Sequence, residues 1–185
     1  ERGDLSVTIP SERKRIMQVC FVVPDIDAAM ASWTHTMGIG PFFVFRDLDI
    51  DTVKHRGAPT RVTFHIALAQ AGRVQIELAQ QVRDAPSAHN EAYPNGSEGG
   101  LHHLAIYVSD YHAALTHFSD QGIEPSVTGM FGDMHFAYVD TRAQLGCMIE
   151  IIEHHALQEQ IFARVKDGAE HWDGVTDPVR PGFPE

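Results

Sequence analysis

Gln18-Val-Cys-Phe-Val-Val-Pro-Asp25-Ile-Asp-Ala-Ala-Met30 and His103-Leu-Ala-Ile-Tyr-Val-Ser-Asp110-Tyr-His-Ala-Ala-Leu115 are two copies of one pattern. Laid together at an offset of 85 (103 − 18), they match Val23 with Val108, Asp25 with Asp110, Ala28 with Ala113 and Ala29 with Ala114. An internal repeat narrows the folds to be considered, because each copy is a supersecondary unit whose apolar face must be buried against another. Both copies open on an apolar, β-branched run, pass through an aspartate suited to capping a helix, and enter an alanine-rich segment of helical spacing. They end alike, in Gly38-Ile39-Gly40-Pro41 and Gly122-Ile123-Glu124-Pro125. A second landmark follows in each: Gln75-Ile-Glu77-Leu-Ala-Gln80 matches Met148-Ile-Glu150-Ile-Ile-Glu153 at an offset of 73 (150 − 77).

Working outward, the pattern predicts strands over 16–23, 42–48, 61–69 and 73–80 with a helix over 26–37, then strands over 102–108, 127–131, 134–140 and 146–153 with a helix over 111–121. Each copy is a βαβββ module, 16–81 and 101–153, and the fold class is α+β. An arm (1–15) precedes the first module. The segment between them, 82–100, is rich in Pro, Gly, Ser and Asn and reads as a surface linker or lid. Leu157, Ile161, Val165 and Ala169 stand four apart, which predicts an amphipathic helix in the last segment, 154–185, with an extended arm over 178–185. With Trp172 that stripe exceeds what two modules need, and exposed apolar stripes mark contacts. It predicts a homodimer in which residues 155–185 pack on a partner or brace the linker.

The chain has 185 residues, 43% hydrophobic and 21% charged, the make-up of an ordinary globular protein. Its 14 Lys and Arg against 25 Asp and Glu give a formal charge of −11, a field that repels phosphate backbones and anionic lipid, so neither nucleic acid nor membrane is an expected partner. Cys20 and Cys147 sit in apolar runs and read as small buried hydrophobes rather than a disulfide framework. No run approaches the roughly 18 apolar residues of a membrane helix, and residues 1–14 lack the apolar core of a secretion signal, which predicts a cytoplasmic protein. The 12 histidines direct attention to metal ligation.

Polar residues stand out where the strands are apolar on both faces. Glu77 and Glu150 occupy equivalent positions in the two landmark strands, and Gln18 and His103 open the two equivalent first strands. A lone strand glutamate is usually solvated or salt-bridged, but a carboxylate buried on such a strand must neutralise, pair or bind a metal. If the two sheets face one another, one amide oxygen, one imidazole and two carboxylates converge into an octahedral O/N site with room for water or substrate. Neighbouring strand residues point to opposite faces, so of His102 and His103 the repeat selects His103.

Together, Val22-Val-Pro-Asp25, Leu101-His-His-Leu-Ala-Ile106, Ile76-Glu-Leu78 and Ile149-Glu-Ile151 resemble the vicinal oxygen chelate superfamily, which includes glyoxalase I, methylmalonyl-CoA epimerase, extradiol dioxygenases and resistance proteins. The resemblance covers about residues 16–153 and implies paired modules forming a cupped sheet. It implies Gln18, Glu77, His103 and Glu150 as ligands of a divalent zinc, nickel, cobalt or manganese ion, the glyoxalase I order. The implied function is a metal-dependent isomerase, epimerase or lyase that abstracts a proton beside the carbonyl of a small molecule such as a thioester or hemithioacetal. Glu150 is then the base, leaving the metal when substrate binds, and Glu77 works on the opposite face. The epimerases carry a base glutamate on a middle strand of the first module; here Arg61-Val-Thr-Phe-His65-Ile-Ala-Leu offers Thr63 and His65, and His65 is the expected substitute. A resistance-type binding protein is the alternative, with Phe42, Phe43, Phe45, Phe131, Phe136 and Tyr138 lining a cleft. An iron dioxygenase is opposed by Gln18, where histidine would be expected.

Overall fold

A computed structural model describes residues 16–183; the arm expected over 1–15 lies outside them. The first module runs β1 (Gln18–Val22), α1 (Ile26–Met37), β2 (Phe42–His55), β3 (Ala58–Ala71) and β4 (Val74–Gln81). A short helix α2 (Ala88–Ala92) stands in the linker. The second module repeats the plan with β5 (Gly100–Val108), α3 (Tyr111–Ser119), β6 (Pro125–Phe131), β7 (Met134–Val139), a helical turn α4 (Arg142–Leu145) and β8 (Met148–Glu153). Helix α5 (Ala156–Glu170) and strand β9 (Val179–Pro181) complete the chain.

The repeated aspartates do what their spacing predicts. Asp25 and Asp110 accept hydrogen bonds from the backbone N–H of Ala28 and Ala113, each at 2.9 Å, satisfying donors that the first turn leaves free. Gly38 ends α1 in the left-handed region at φ 66°, whereas α3 stops earlier, at Ser119, in a right-handed turn. Strands β2 and β3 are longer than their apolar cores predict, because Arg56 and Gly57, both at positive φ, close a two-residue hairpin that carries the polar stretch 49–60 into the sheet.

The sheet order is β3-β4-β1-β5-β8-β7-β6-β2, and β2 pairs again with β3, so the strands close into a barrel; β9 adds to β2 in parallel. The two modules therefore meet within one chain. One seam is the antiparallel pairing of β1 with β5, and the other is β2 with β6 at Lys54 and His55. Ile76 and Leu78 point outward under α1 with Ile26 and Met30, while Ile149 and Ile151 do the same under α3. The alternate residues of β4 and β8 necessarily point into the barrel.

The stripe on α5 is covered by its own chain. Val165, Ile161 and Phe162 pack on Phe43, Phe45, Ile66 and Leu68 of β2 and β3, and Gly168 passes so close to Phe43 that a Cβ would lie 2.7 Å from its ring. Much of the apolar surface that prompted the expectation of a partner thus meets the first module, while Leu157 at its start remains 48% exposed. Of the extended arm expected over 178–185, Val179–Pro181 form β9, bonded to Phe42–Val44, and residues 184–185 lie outside the described residues.

Candidate metal centre and its cavity

The barrel holds a cavity of about 160 Å³ that opens at one mouth. The seam between β1 and β5 forms its floor. Gln18 pairs with Gln75 and Cys20 with Glu77 across β1 and β4, and the repeat-equivalent pairs across β5 and β8 are His103 with Met148 and Ala105 with Glu150. Glu77, His103 and Glu150 converge there, each offering a ligand atom within 4.8 Å of the others. His103 is fully buried and both carboxylates are only 8% exposed.

Gln18 reaches the same cavity. Its amide nitrogen donates to Gln75 Oε1 at 2.6 Å, which turns Gln18 Oε1 away as a buried acceptor with no hydrogen-bond partner among the described residues. Met148 replaces Gln75 in the second module and offers His103 no such bond. His103 Nε2 lies 3.1 Å from Glu150 Oε2 without hydrogen-bonding geometry. Two orphaned lone-pair atoms facing two buried carboxylates are a donor set suited to a divalent cation with mixed O and N ligands.

The electrostatics follow from burial. Desolvation pushes the Glu77 carboxyl up to about 7, with His103 pulling the other way and Glu150 adding repulsion. Burial presses His103 toward neutrality, but Glu150 and Glu77 outweigh it and its pKa rises. Burial and the same carboxylates push Tyr138 well above its ordinary value.

His102 is not on the opposite face. The register of β1 against β5 slips between Cys20 and Phe21, whose partners are His103 and Leu101, so His102 is the extra residue of a β-bulge. Both imidazoles consequently lie inside, with Nδ1 atoms 2.8 Å apart. His102 stacks on His89 of α2 at 4.1 Å between ring centroids. Burial and the neighbouring imidazoles push both down, His102 to about 3.

Cys20 and His89 were not among the expected site residues. Their ligand atoms lie within 4.8 Å of His103, and the Cys20 thiol donates to Glu77 Oε1 at 3.6 Å. Cys20 stands two residues after Gln18 on the same face of β1, a signal the sequence carried. His89 carried none, for its place depends on how the linker folds. Ser87 caps α2 by accepting from the N–H of Asn90, and Glu91 ties that helix to Arg56, Arg142 and His55.

His65 is not brought to the site. Phe64 and Ile66 line the cavity, so His65 between them faces the other way, where its Nδ1 accepts from the Asp47 N–H at 3.0 Å. A role as base has no support in this placement. Of the six aromatics expected to line a cleft, Phe45, Phe131, Phe136 and Tyr138 do so; Phe42 packs under α1 and Phe43 under α5.

A closed barrel of two βαβββ modules with a carboxylate-imidazole cluster at the seam is thus built from the repeat read in the sequence. The chain matches the Glyoxalase/Bleomycin resistance protein/Dioxygenase superfamily over residues 17–138 and belongs to that superfamily. None of the curated proteins matches it. Solved structures similar to it include a hypothetical protein from Bacillus halodurans C-125, with 15% identity and a TM-score of 0.48 over 76% of this chain and 94% of that one. Others are methylmalonyl-CoA epimerase from Mycobacterium tuberculosis, at 14% identity and 0.47 over 78% and 90%, and that of Streptomyces coelicolor with 2-nitronate-propionyl-CoA, at 16% and 0.47 over 77% and 98%. No helix among the described residues is long and apolar enough to cross a membrane.

Proposed function

We propose that the protein is a metal-dependent isomerase, epimerase or lyase that moves a proton next to a carbonyl. The observation that carries this reading is the convergence of Glu77, His103 and Glu150, one carboxylate from each module, at the floor of an otherwise apolar cavity. Two carboxylates so close and so buried repel one another unless a proton or a cation lies between them. Gln18, Glu77, His103 and Glu150 would hold a divalent zinc, nickel, cobalt or manganese ion, which supplies electrostatic stabilisation for negative charge developing on a substrate oxygen. Glu150 is the base that takes the proton from carbon. Glu77, from the other module, works on the opposite face and is suited to return one.

Elemental analysis after purification without chelator, followed by NMR detection of deuterium wash-in beside the carbonyl of candidate compounds in heavy water, tests the reading. One ion per chain and metal-dependent exchange are expected. Absence of metal, with no uptake of any of the four ions on reconstitution, would overturn it. The second reading, a binding protein of the same superfamily, draws on the aromatic walls of the cavity and predicts tight ligand binding with no exchange.

A further inference from the structure

We propose that the natural ligand of this cavity is an uncharged, largely hydrocarbon molecule with a pair of adjacent oxygens and a hydrogen-bond donor. The adjacent oxygens rest on the metal reading above; the rest stands on the walls. No lysine or arginine lines the cavity, and a divalent ion held by Glu77 and Glu150 leaves the floor with no excess positive charge. His155, which also lines the cavity, is already paired with Asp133 at 2.7 Å, so the phosphates of an acyl-CoA or the carboxylates of a glutathione adduct would find no free cation among the lining residues. Three arginines elsewhere on the barrel are already engaged by carboxylates: Arg61 by Asp49, and Arg56 and Arg142 by Glu91 and Asp140. Burying an anion in a largely apolar enclosure that offers it no cationic partner is strongly unfavourable.

The apolar walls come from every part of the chain. Phe45 and Phe64 stand on the first module, Phe131 and Phe136 on the second, Phe162 on α5 and Phe183 just beyond β9. Helix α5 and the final segment are not part of either module, so their contribution encloses a ligand more fully than the paired modules alone. Polar side chains interrupt this wall at Ser87, His89, His155 and Gln158. Gln158 on α5 lines the cavity, and its Oε1 is buried with no hydrogen-bond partner among the described residues. An acceptor held in that position calls for a hydroxyl or N–H on the ligand, since leaving it unpaired is costly.

Displacement of the neutral dye N-phenyl-1-naphthylamine from the full-length, metal-loaded protein tests this. Benzoin, an uncharged hydroxyketone with two phenyl groups and adjacent oxygens, is expected to compete at least tenfold more tightly than methylmalonyl-CoA or S-lactoylglutathione. Equal or tighter competition by either anionic thioester overturns the substrate class while leaving the metal reading intact. Deoxybenzoin, which lacks the hydroxyl, separates the two. If benzoin outcompetes the thioesters but keeps the same lead over deoxybenzoin after chelator treatment, the hydrocarbon class stands and the metal reading fails. Leu157→Lys sets a cation at a half-exposed lining position that a folded variant tolerates. It should raise the affinity for the thioesters several-fold and lower that for benzoin; no change in that ratio would overturn the charge argument.

Discussion

Replacing Glu77 by glutamine should stabilise the metal-free protein, and only above the ordinary carboxylate range. The folded-state pKa of Glu77 is raised from 4.5 to about 7 by burial, so between those values the folded chain holds a proton that the unfolded chain has released. Stability then falls as pH rises through that window, because the unfolded state binds fewer protons. Each pKa unit corresponds to about 1.4 kcal/mol, so the cost of ionising Glu77 reaches at most about 3.5 kcal/mol above pH 7 and vanishes below pH 4.5. Part of it is shared with His103, so an effect of about 1–3 kcal/mol is expected. Glutamine keeps the shape and removes the charge. In a chain of this size each kcal/mol moves the midpoint by roughly 2–4 °C, so with chelator at pH 8 the Glu77→Gln protein should melt several degrees above wild type, and at pH 4.5 beside it. Saturating zinc should reverse the order: a ligand at 100 times its Kd adds about 2.7 kcal/mol, and the variant has lost one ligand. A variant that melts at or below wild type in chelator at pH 8 would refute the idea that burial presses on Glu77. Equal stabilisation of both proteins by zinc would remove it from the ligand set.

Glu150→Gln should leave the metal-free fold within about 1 kcal/mol of wild type, since the pocket keeps its volume, while metal affinity falls at least tenfold and deuterium exchange is lost; titration calorimetry and NMR read the two. Glu91→Gln removes the carboxylate that binds Arg56, Arg142 and His55 and should cost about 1–2 kcal/mol at pH 7 in urea unfolding. Because the Arg56 guanidinium and its neighbours hold the Glu91 carboxyl down at about 2, that difference is fully present above pH 4.5 and shrinks as the pH falls toward 2. Gly168→Ala gains about 1 kcal/mol of helix propensity but drives a methyl into the Phe43 ring, which lies between Arg164 and Arg180. Overpacking should win by about 1 kcal/mol in thermal melts, and a stabilised variant would show that the α5 contact is loose.

The fold was legible because the repeat carries its own check. Two aspartates cap two helices and two landmark strands alternate in phase, so an error in one copy would have broken the match with the other. Lengths and ends were less legible. The polar stretch 49–60 has no apolar core of its own, and only the Arg56-Gly57 turn, which needs positive φ at both residues, makes strands of it. The stripe on α5 was read correctly as a contact surface, but its spacing cannot say whose surface it meets. That is decided by Gly168 and Phe43, far apart in sequence, fitting against each other.

Within the site, the residues that were legible are those whose direction strand alternation fixes. Gln18, Glu77 and Glu150 face the cavity because their neighbours on either side face the helices, and no later feature disturbs that phase. The same rule applied to His65 puts it outside, since Phe64 and Ile66 line the cavity; the expectation that it served as a base came from the resemblance and not from phase. His102 marks where the rule fails. A β-bulge inserts one residue, so two consecutive histidines lie inside, and nothing in the doublet itself signals a bulge. His89 lies further still beyond local patterns. Its ring reaches His102 because Ser87 starts a five-residue helix and Glu91 fastens that helix to arginines of both modules, so a surface ion cluster sets the position of a buried imidazole. Loosening that clasp by Glu91→Gln should therefore be felt at the floor of the cavity as well as in stability, because one five-residue helix carries both the clasp and His89.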